Sequence, residues 1–242
     1  MQGRPRPFLV VPALVLVAGI TACRGEGPAE EPVATDPLTA SVDDPTSAAA
    51  ATVDPASAIP DDFPLAADWP PRPGEPGYLG LQGPDRELPA IDHQPCDVVA
   101  ADPAFRDRRR ADWGDVEDDR SRQLTVYRSE QDAEEALQAI IEVYRHCPER
   151  FDGPSWVGYV LQQTSYGDAS WSVTATETFD GYRTSYLGVR HLVRVGQAVL
   201  VTVDHNEGGF GPPGSLEENV ARPVAEARDV IDAMCVFSTT GC

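Results

Sequence analysis

The sequence predicts an α+β domain: an antiparallel sheet of about five strands, including a three-strand meander, packed by two main amphipathic helices and closed by two disulfides. Three observations predict it. Residues 170–204 alternate apolar and polar side chains around two tight-turn pairs, Asp180-Gly181 and Gly196-Gln197. Two stretches, one from Ser129 to about His146 and one from Ser215 onward, carry apolar residues at helical spacing. Four cysteines lie downstream of Cys23, an even number that reads as paired in an exported chain.

The first element of the domain is a short strand, Arg122 to Arg128, with Leu124 and Val126 on one face. Ser129 then caps a helix. Its stripe is Ala133, Ala136, Leu137, Ile140, Ile141 and Tyr144, and Cys147 continues it toward the core. Asp132 stands where a capping box usually has Glu or Gln. After a strand at Trp156–Gln163 comes the meander: Ser170–Phe179, Tyr182–Val195 and Ala198–Asp204. Pairing outward from the two turns puts Trp171, Val173, Ala175, Phe179, Tyr182, Tyr186, Leu192, Val199, Val201 and Val203 on one face. Thr174, Thr176, Thr178, Arg183, Ser185 and Asp204 fall on the other. Gly188, midway along the longest strand, is where a bulge would reverse the alternation. Ser215-x-x-Glu218 is a capping box for a closing helix with Val220, Val224, Ala227, Ile231 and Met234 on one face, and Pro223 needs an early turn or a kink there.

The N-terminal end carries the most specific motif. Arg4 and Arg6 precede a 13-residue apolar run, Phe8 to Ile20. That length suits a signal-peptide core and falls short of the ~20 residues of a spanning helix. Ile20-Thr21-Ala22-Cys23 follows, which resembles the bacterial lipobox. The resemblance implies cleavage after residue 22, a diacylglyceryl group on the Cys23 thiol with palmitate among its acyl chains, and a chain held at the extracytoplasmic face of the cell membrane. Residues 23–56 are rich in Pro, Ala, Thr, Asp and Glu and hold no aromatic side chain, so they read as a disordered tether. The domain is expected over 57–242, with 57–95 an irregular, proline-rich segment pinned to its surface.

Charge and composition exclude several functions. The chain of 242 residues has 19 basic and 39 acidic side chains, a net charge of −20, and every basic residue is arginine. Cleavage removes two arginines and no acid, leaving −22. Such a surface repels nucleic acid. Without lysine there is no Schiff base and no Walker loop. Arg106-Asp107-Arg108-Arg109-Arg110 is the only basic cluster. The acids from Asp112 to Asp119 read as its local compensation at a solvated turn, with capture of an anionic partner as the alternative.

Cys96, Cys147, Cys235 and Cys242 allow three connectivities. Chain direction favours Cys96–Cys147 with Cys235–Cys242, because the first helix brings Cys147 back to the end where Cys96 enters; Cys147–Cys235 is the rival. No cysteine pair has zinc-ligand spacing, and no metal or cofactor is expected. His146 falls at a helix C-terminus, a capping position. His191 has Thr202 opposite and Asp204 on the diagonal, a pair placed to orient an imidazole, with a hydrogen-bonded sheet pair as the plainer expectation; no serine stands in a nucleophile elbow. His205 projects to the opposite face, and His93 lies in the proline-rich segment. The loop Glu207–Gly214 is glycine-rich, but its prolines and acids make it a poor phosphate loop, and it reads as a mobile connection.

The hairpin His191–Val201 turning at Gly196, the glycine-rich loop, the closing helix with Cys235, and Tyr166-Gly167-Asp168-Ala169 before the Trp171 strand together resemble the extracellular sensor domains of mycobacterial H-type serine/threonine kinases and the actinobacterial lipoproteins built on them. The resemblance covers about residues 57–242. It implies a groove for an unidentified envelope ligand and brings no catalytic residues. The expected function is therefore a membrane-anchored, ligand-binding or sensor-like domain, monomeric, meeting a small envelope ligand or an envelope protein. The groove candidates are Trp156, Tyr159, Trp171, Tyr186, His191 and Asp204. The alternatives are an envelope hydrolase using His191 and Asp204, and a structural envelope protein.

Overall fold

The structure, a computed structural model, describes residues 54–69, 80–115, 118–206 and 215–241. The leader, Cys23, nearly all of the tether, the Glu207–Gly214 connection and Cys242 lie outside the described residues. Eight strands form one antiparallel sheet: β1 (Gly80–Asp85), β2 (Phe105–Gly114), β3 (Asp118–Tyr127), β4 (Glu149–Asp152), β5 (Ser155–Thr164), β6 (Ala169–Phe179), β7 (Tyr182–Val195) and β8 (Ala198–Asn206). Their order across the sheet is β1-β2-β3-β8-β7-β6-β5-β4. Two meanders thus meet at the β3–β8 seam. The helix α1 (Glu130–His146) carries the chain from the end of β3 to the far edge at β4.

This corrects the expected architecture of five strands, two main helices and two disulfides. The sheet has eight strands and dominates the domain. The closing helix is not continuous: α2 (Ser215–Glu226) breaks at Ala227, and α3 (Arg228–Ala233) and a 3₁₀ turn (Met234–Phe237) follow. Pro223 cannot donate a ladder bond, and the Ala227 amide is shared between the Pro223 and Val224 carbonyls, which tightens the chain there. Among the described residues there is one disulfide, Cys96–Cys147, with Cα atoms 5.9 Å apart. It excludes the Cys147–Cys235 pairing; the Cys235–Cys242 pairing involves a residue outside those described.

Local chemistry explains the elements. The Ser129 side chain accepts from the Asp132 amide and starts α1. The helix buries Ala133, Ala136, Leu137, Ile140, Ile141, Val143 and Tyr144 on one sheet face, against Val173, Leu192, Val199, Val201 and Val203. Each large aliphatic side chain so buried contributes about 1.5–3 kcal/mol relative to exposure. At its end the His146 Nδ1 lies 2.8 Å from the Glu142 carbonyl. Asp180 (φ 49°) and Gly181 (φ 80°) both turn through the left-handed region that a type I′ turn requires, so Phe179 faces Tyr182.

The expected irregularity at Gly188 is absent. Gly188 pairs regularly with Ala175 and His205, and the register shifts instead between Thr176 and Thr178. The reason for the glycine lies above it. A Cβ there would come 3.0 Å from the Tyr186 hydroxyl and 3.2 Å from the His205 ring, so its absence lets Tyr186 fold back against His205.

The opposite face is covered by α2, α3, the 3₁₀ turn and the segment 54–69. That segment is not a surface strap: Ile59, Phe63, Leu65 and Trp69 are buried in this second core. Arg122 fastens it. Its guanidinium donates to the carbonyls of Leu65, Ala67 and Glu226 and lies 4.6 Å over the Trp69 ring. Burial pushes its pKa down to about 10, against the pull of Glu226, and it stays charged at neutral pH. No helix among the described residues is long and apolar enough to cross a membrane.

Candidate functional site

The Arg106–Arg110 cluster is not a solvated turn. It lies on β2, so its side chains alternate between the faces. Asp107 and Arg109 point into the second core. Asp107 is held by Arg86 and the Ile59 amide, and Arg109 by Asp61. Arg108 pairs with Asp102, and Arg106 donates to the Arg128 carbonyl. Of the acids from 112 to 119, only Asp112 meets the cluster in the described contacts, at 2.8 Å from Arg110.

The six residues expected to line one groove do not come together. Tyr159, Trp171 and Tyr186 share the α1 face. Tyr159 packs on Tyr144 with ring centroids 5.5 Å apart, and Trp171 takes the Arg145 guanidinium over its ring. Trp156 stands near the β4 edge, where its indole donates to Glu149. His191 and Asp204 belong to the α2 face, and neither serves the other. His191 Nε2 donates to the Val220 carbonyl at 2.9 Å, which leaves Nδ1 as the basic nitrogen, buried and without a hydrogen-bond partner. Asp204 turns to Arg222 at 3.1 Å and Arg120 at 3.4 Å. Burial pushes the His191 pKa down and the Asp204 pKa up. The residue opposite His191 on β6 is Ser172, and no side-chain hydrogen bond is described between the two. The acid–imidazole hydrogen bond that would orient a base is not made. His191, Ser172 and α2 line a shallow groove of about 670 Å³ whose other polar walls are mostly threonine and glutamine.

The other face holds a different arrangement. Beyond the end of α1, the sheet floor is open and encloses a cavity of about 460 Å³. β2 contributes Arg110 and Asp112, β3 contributes Asp119 and Ser121, β8 contributes Val203 and His205, and β7 contributes Arg190. Residues 90–92 form a wall, held by the Ile91 amide donating to Gln123 at 2.8 Å. A second cavity of about 270 Å³, lined by His93, lies on the far side of that wall.

Arg190 is the unusual member. It lies in register with Val203 and Val173, on the face that Leu192 and Val201 make apolar. Its Nε is buried and has no hydrogen-bond partner, and no carboxylate among the described residues lies within ion-pairing distance of it. Its charge is felt by four rings that cannot neutralise it. It depresses His93 and His205, and it opposes the upward push that burial gives Tyr144 and Tyr186. Burial is the larger cause at both histidines, which fall to about 3 at His93 and about 4 at His205. Both are therefore neutral at physiological pH. His205 Nε2 and both nitrogens of His93 have no partner.

Among the described residues no group of three or more His, Cys, Asp or Glu side chains is placed to hold a metal ion. No family model matches the chain, and no curated protein matches it. Among solved structures it is similar to the extracellular domain of PknH from Mycobacterium tuberculosis, at 9% identity and a TM-score of 0.37, over 52% of this chain and 63% of that one. The chain thus spans less than two thirds of the domain it matches, and at that similarity neither ligand nor activity carries over.

Proposed function

We propose that this protein is a lipoprotein, anchored through Cys23 at the extracytoplasmic face of the membrane, whose domain captures a small ligand in the Arg190 cavity without transforming it. The observation that carries the binding reading is Arg190 itself. Among the described residues no carboxylate answers this half-buried guanidinium, and it borders a cavity over an apolar stretch of sheet, so an anionic ligand would supply the missing partner. The lipobox supports the anchor and the composition of 24–53 supports a spacer. The hydrolase reading has no comparable observation behind it, since His191 and Asp204 are each engaged elsewhere.

Two measurements test this. Native mass spectrometry of the chain isolated from its own envelope extract is expected to show a co-purifying small molecule; its loss on Arg190→Met places it in the cavity. In urea unfolding of the empty protein, Arg190→Met is expected to leave stability within about 0.5 kcal/mol of wild type, because the half-buried side chain makes no ion pair among the described residues. A larger fall in stability would make Arg190 a structural residue instead. For the anchor, wild type is expected to enter the detergent phase and Cys23→Ala the aqueous phase. Equal partitioning of the two would overturn the lipid attachment.

A further inference from the structure

Among the described residues the cavity has one cation without an ion-pair partner, Arg190, and its surroundings restrict what that cation can take. We propose that the ligand is a small organic acid with a single carboxylate, laid flat on the Arg190 guanidinium, with hydroxyl or ammonium donors directed to Asp92 and Asp119 at the rim. The proposal rests on the ligand-binding reading above and names the chemistry of that site.

Three features carry it. A guanidinium presents parallel N–H groups that match the two oxygens of a planar carboxylate. Among the described residues no second free cation faces the same space. Arg110 is engaged by Asp112 at 2.8 Å and the Pro89 carbonyl at 2.7 Å, and Arg120, although it borders the cavity, turns its head group to Asp204 and Glu226. A dianion such as phosphate would bring a second negative charge toward Asp92, Asp112 and Asp119 with nothing to balance it. The same carboxylates that repel a dianion accept hydrogen bonds, so they favour an acid that also carries donors. Asp119 has no described ion pair and Asp92 only a bond from Gln94, so both are open to the cavity. The neutral His205 ring, stacked 5.7 Å from Tyr186, adds an unpartnered ring nitrogen at the floor.

A bound carboxylate would also be sensed by the histidine. The groups facing His205 are Arg190, Tyr186 and Asp119, with Asp112 and Arg110 across the cavity. Neutralising Arg190 removes the one positive charge that depresses the ring, so binding should move the His205 pKa upward.

The test uses the full chain in detergent micelles with histidine side-chain NMR, titrated with D-glucuronate, glycine, inorganic phosphate and glucose. Glucuronate or glycine is expected to shift the His205 resonances and raise its pKa, with affinity falling about tenfold or more in Arg190→Gln. Phosphate and glucose are expected to bind about tenfold more weakly than the better carboxylate. Phosphate binding more tightly than both carboxylates, or glucose matching glucuronate with Arg190→Gln indifferent, would overturn the carboxylate class. Silence of His205 to all four would overturn it too. In each of these cases a co-purifying molecule in native mass spectrometry would still stand for a binding domain, so the two failures are separable.

Discussion

Acidification from about pH 7.5 to about pH 5 is expected to cost the domain about 4 kcal/mol of stability, before most carboxylates begin to titrate. The cause is the burial of two neutral imidazoles. His93 is 7% exposed, and its pKa falls from 6.5 to about 3; His205 falls to about 4. A histidine with a lowered folded pKa binds its proton in the unfolded chain first. Stability is therefore fully present above about 6.5 and is lost as pH falls toward the folded values. By pH 5 each ring contributes about 2 kcal/mol to the loss. His191, also lowered by burial, acts in the same sense. Asp204, whose carboxyl burial pushes up, acts in the opposite sense and only nearer the carboxylate range. Urea unfolding at the two pH values measures the difference, and His93→Phe is expected to remove about half of it. An unchanged midpoint would mean that both rings protonate in place.

Gly196→Ala is expected to be the most damaging single methyl in the chain, at about 3 kcal/mol or more. The turn between β7 and β8 is pressed against the end of the 3₁₀ turn. A Cβ on Gly196 would overlap the Phe237 carbonyl oxygen and stand 2.7 Å from the Ser238 Cα, both backbone atoms that cannot rotate away. The residue also has a φ of 54°, which a side chain strains further. The neighbouring bonds depend on this fit: Gln197 N–H donates to the Phe237 carbonyl at 3.1 Å, and the Gly196 amide donates to Asp168 at 2.7 Å. Gly181→Ala is the control. Its φ is also positive, but nothing lies within 4 Å of the added carbon, so only the backbone cost remains. Thermal melts that rank the two equally would sink the steric account.

The elements that were legible in the sequence obey local rules. The stripe from Ala133 to Tyr144 has helical period and is buried as a stripe. Asp180-Gly181 sets a register that runs outward from Phe179 and Tyr182. What was not legible depends on distant partners. β2 looked like a charge cluster because Asp107 and Arg109 are buried polar residues whose partners, Arg86 and Asp61, are remote in sequence. β1 is written in Gly, Gln, Pro and Asp, residues with little strand preference, and β4 has only four residues. The closing helix shows the right apolar stripe, yet the stripe does not record the break at Ala227. Trp156, Tyr159, Trp171, Tyr186, His191 and Asp204 suit a groove between sheet and helix by residue type, but the pleat sends them to both faces. Arg190 is silent in the sequence, because a single arginine in a strand carries no motif. Its meaning comes from the missing carboxylate, which only the tertiary structure reveals.

Ala56 is where the chain enters the domain, and its attachment decides how the domain responds to being pulled. Its amide donates to the Val236 carbonyl at 2.8 Å, and its carbonyl accepts from the Gln197 side chain at 2.6 Å. Tension on the preceding residues arrives at the β7–β8 turn and the C-terminal 3₁₀ turn, and then meets the wedge of Ile59, Phe63, Leu65 and Trp69. The eight-stranded sheet separates that force from the cavity on its other side. Pulling at Ala56 would therefore load the C-terminal core first and leave the floor of the Arg190 cavity undeformed.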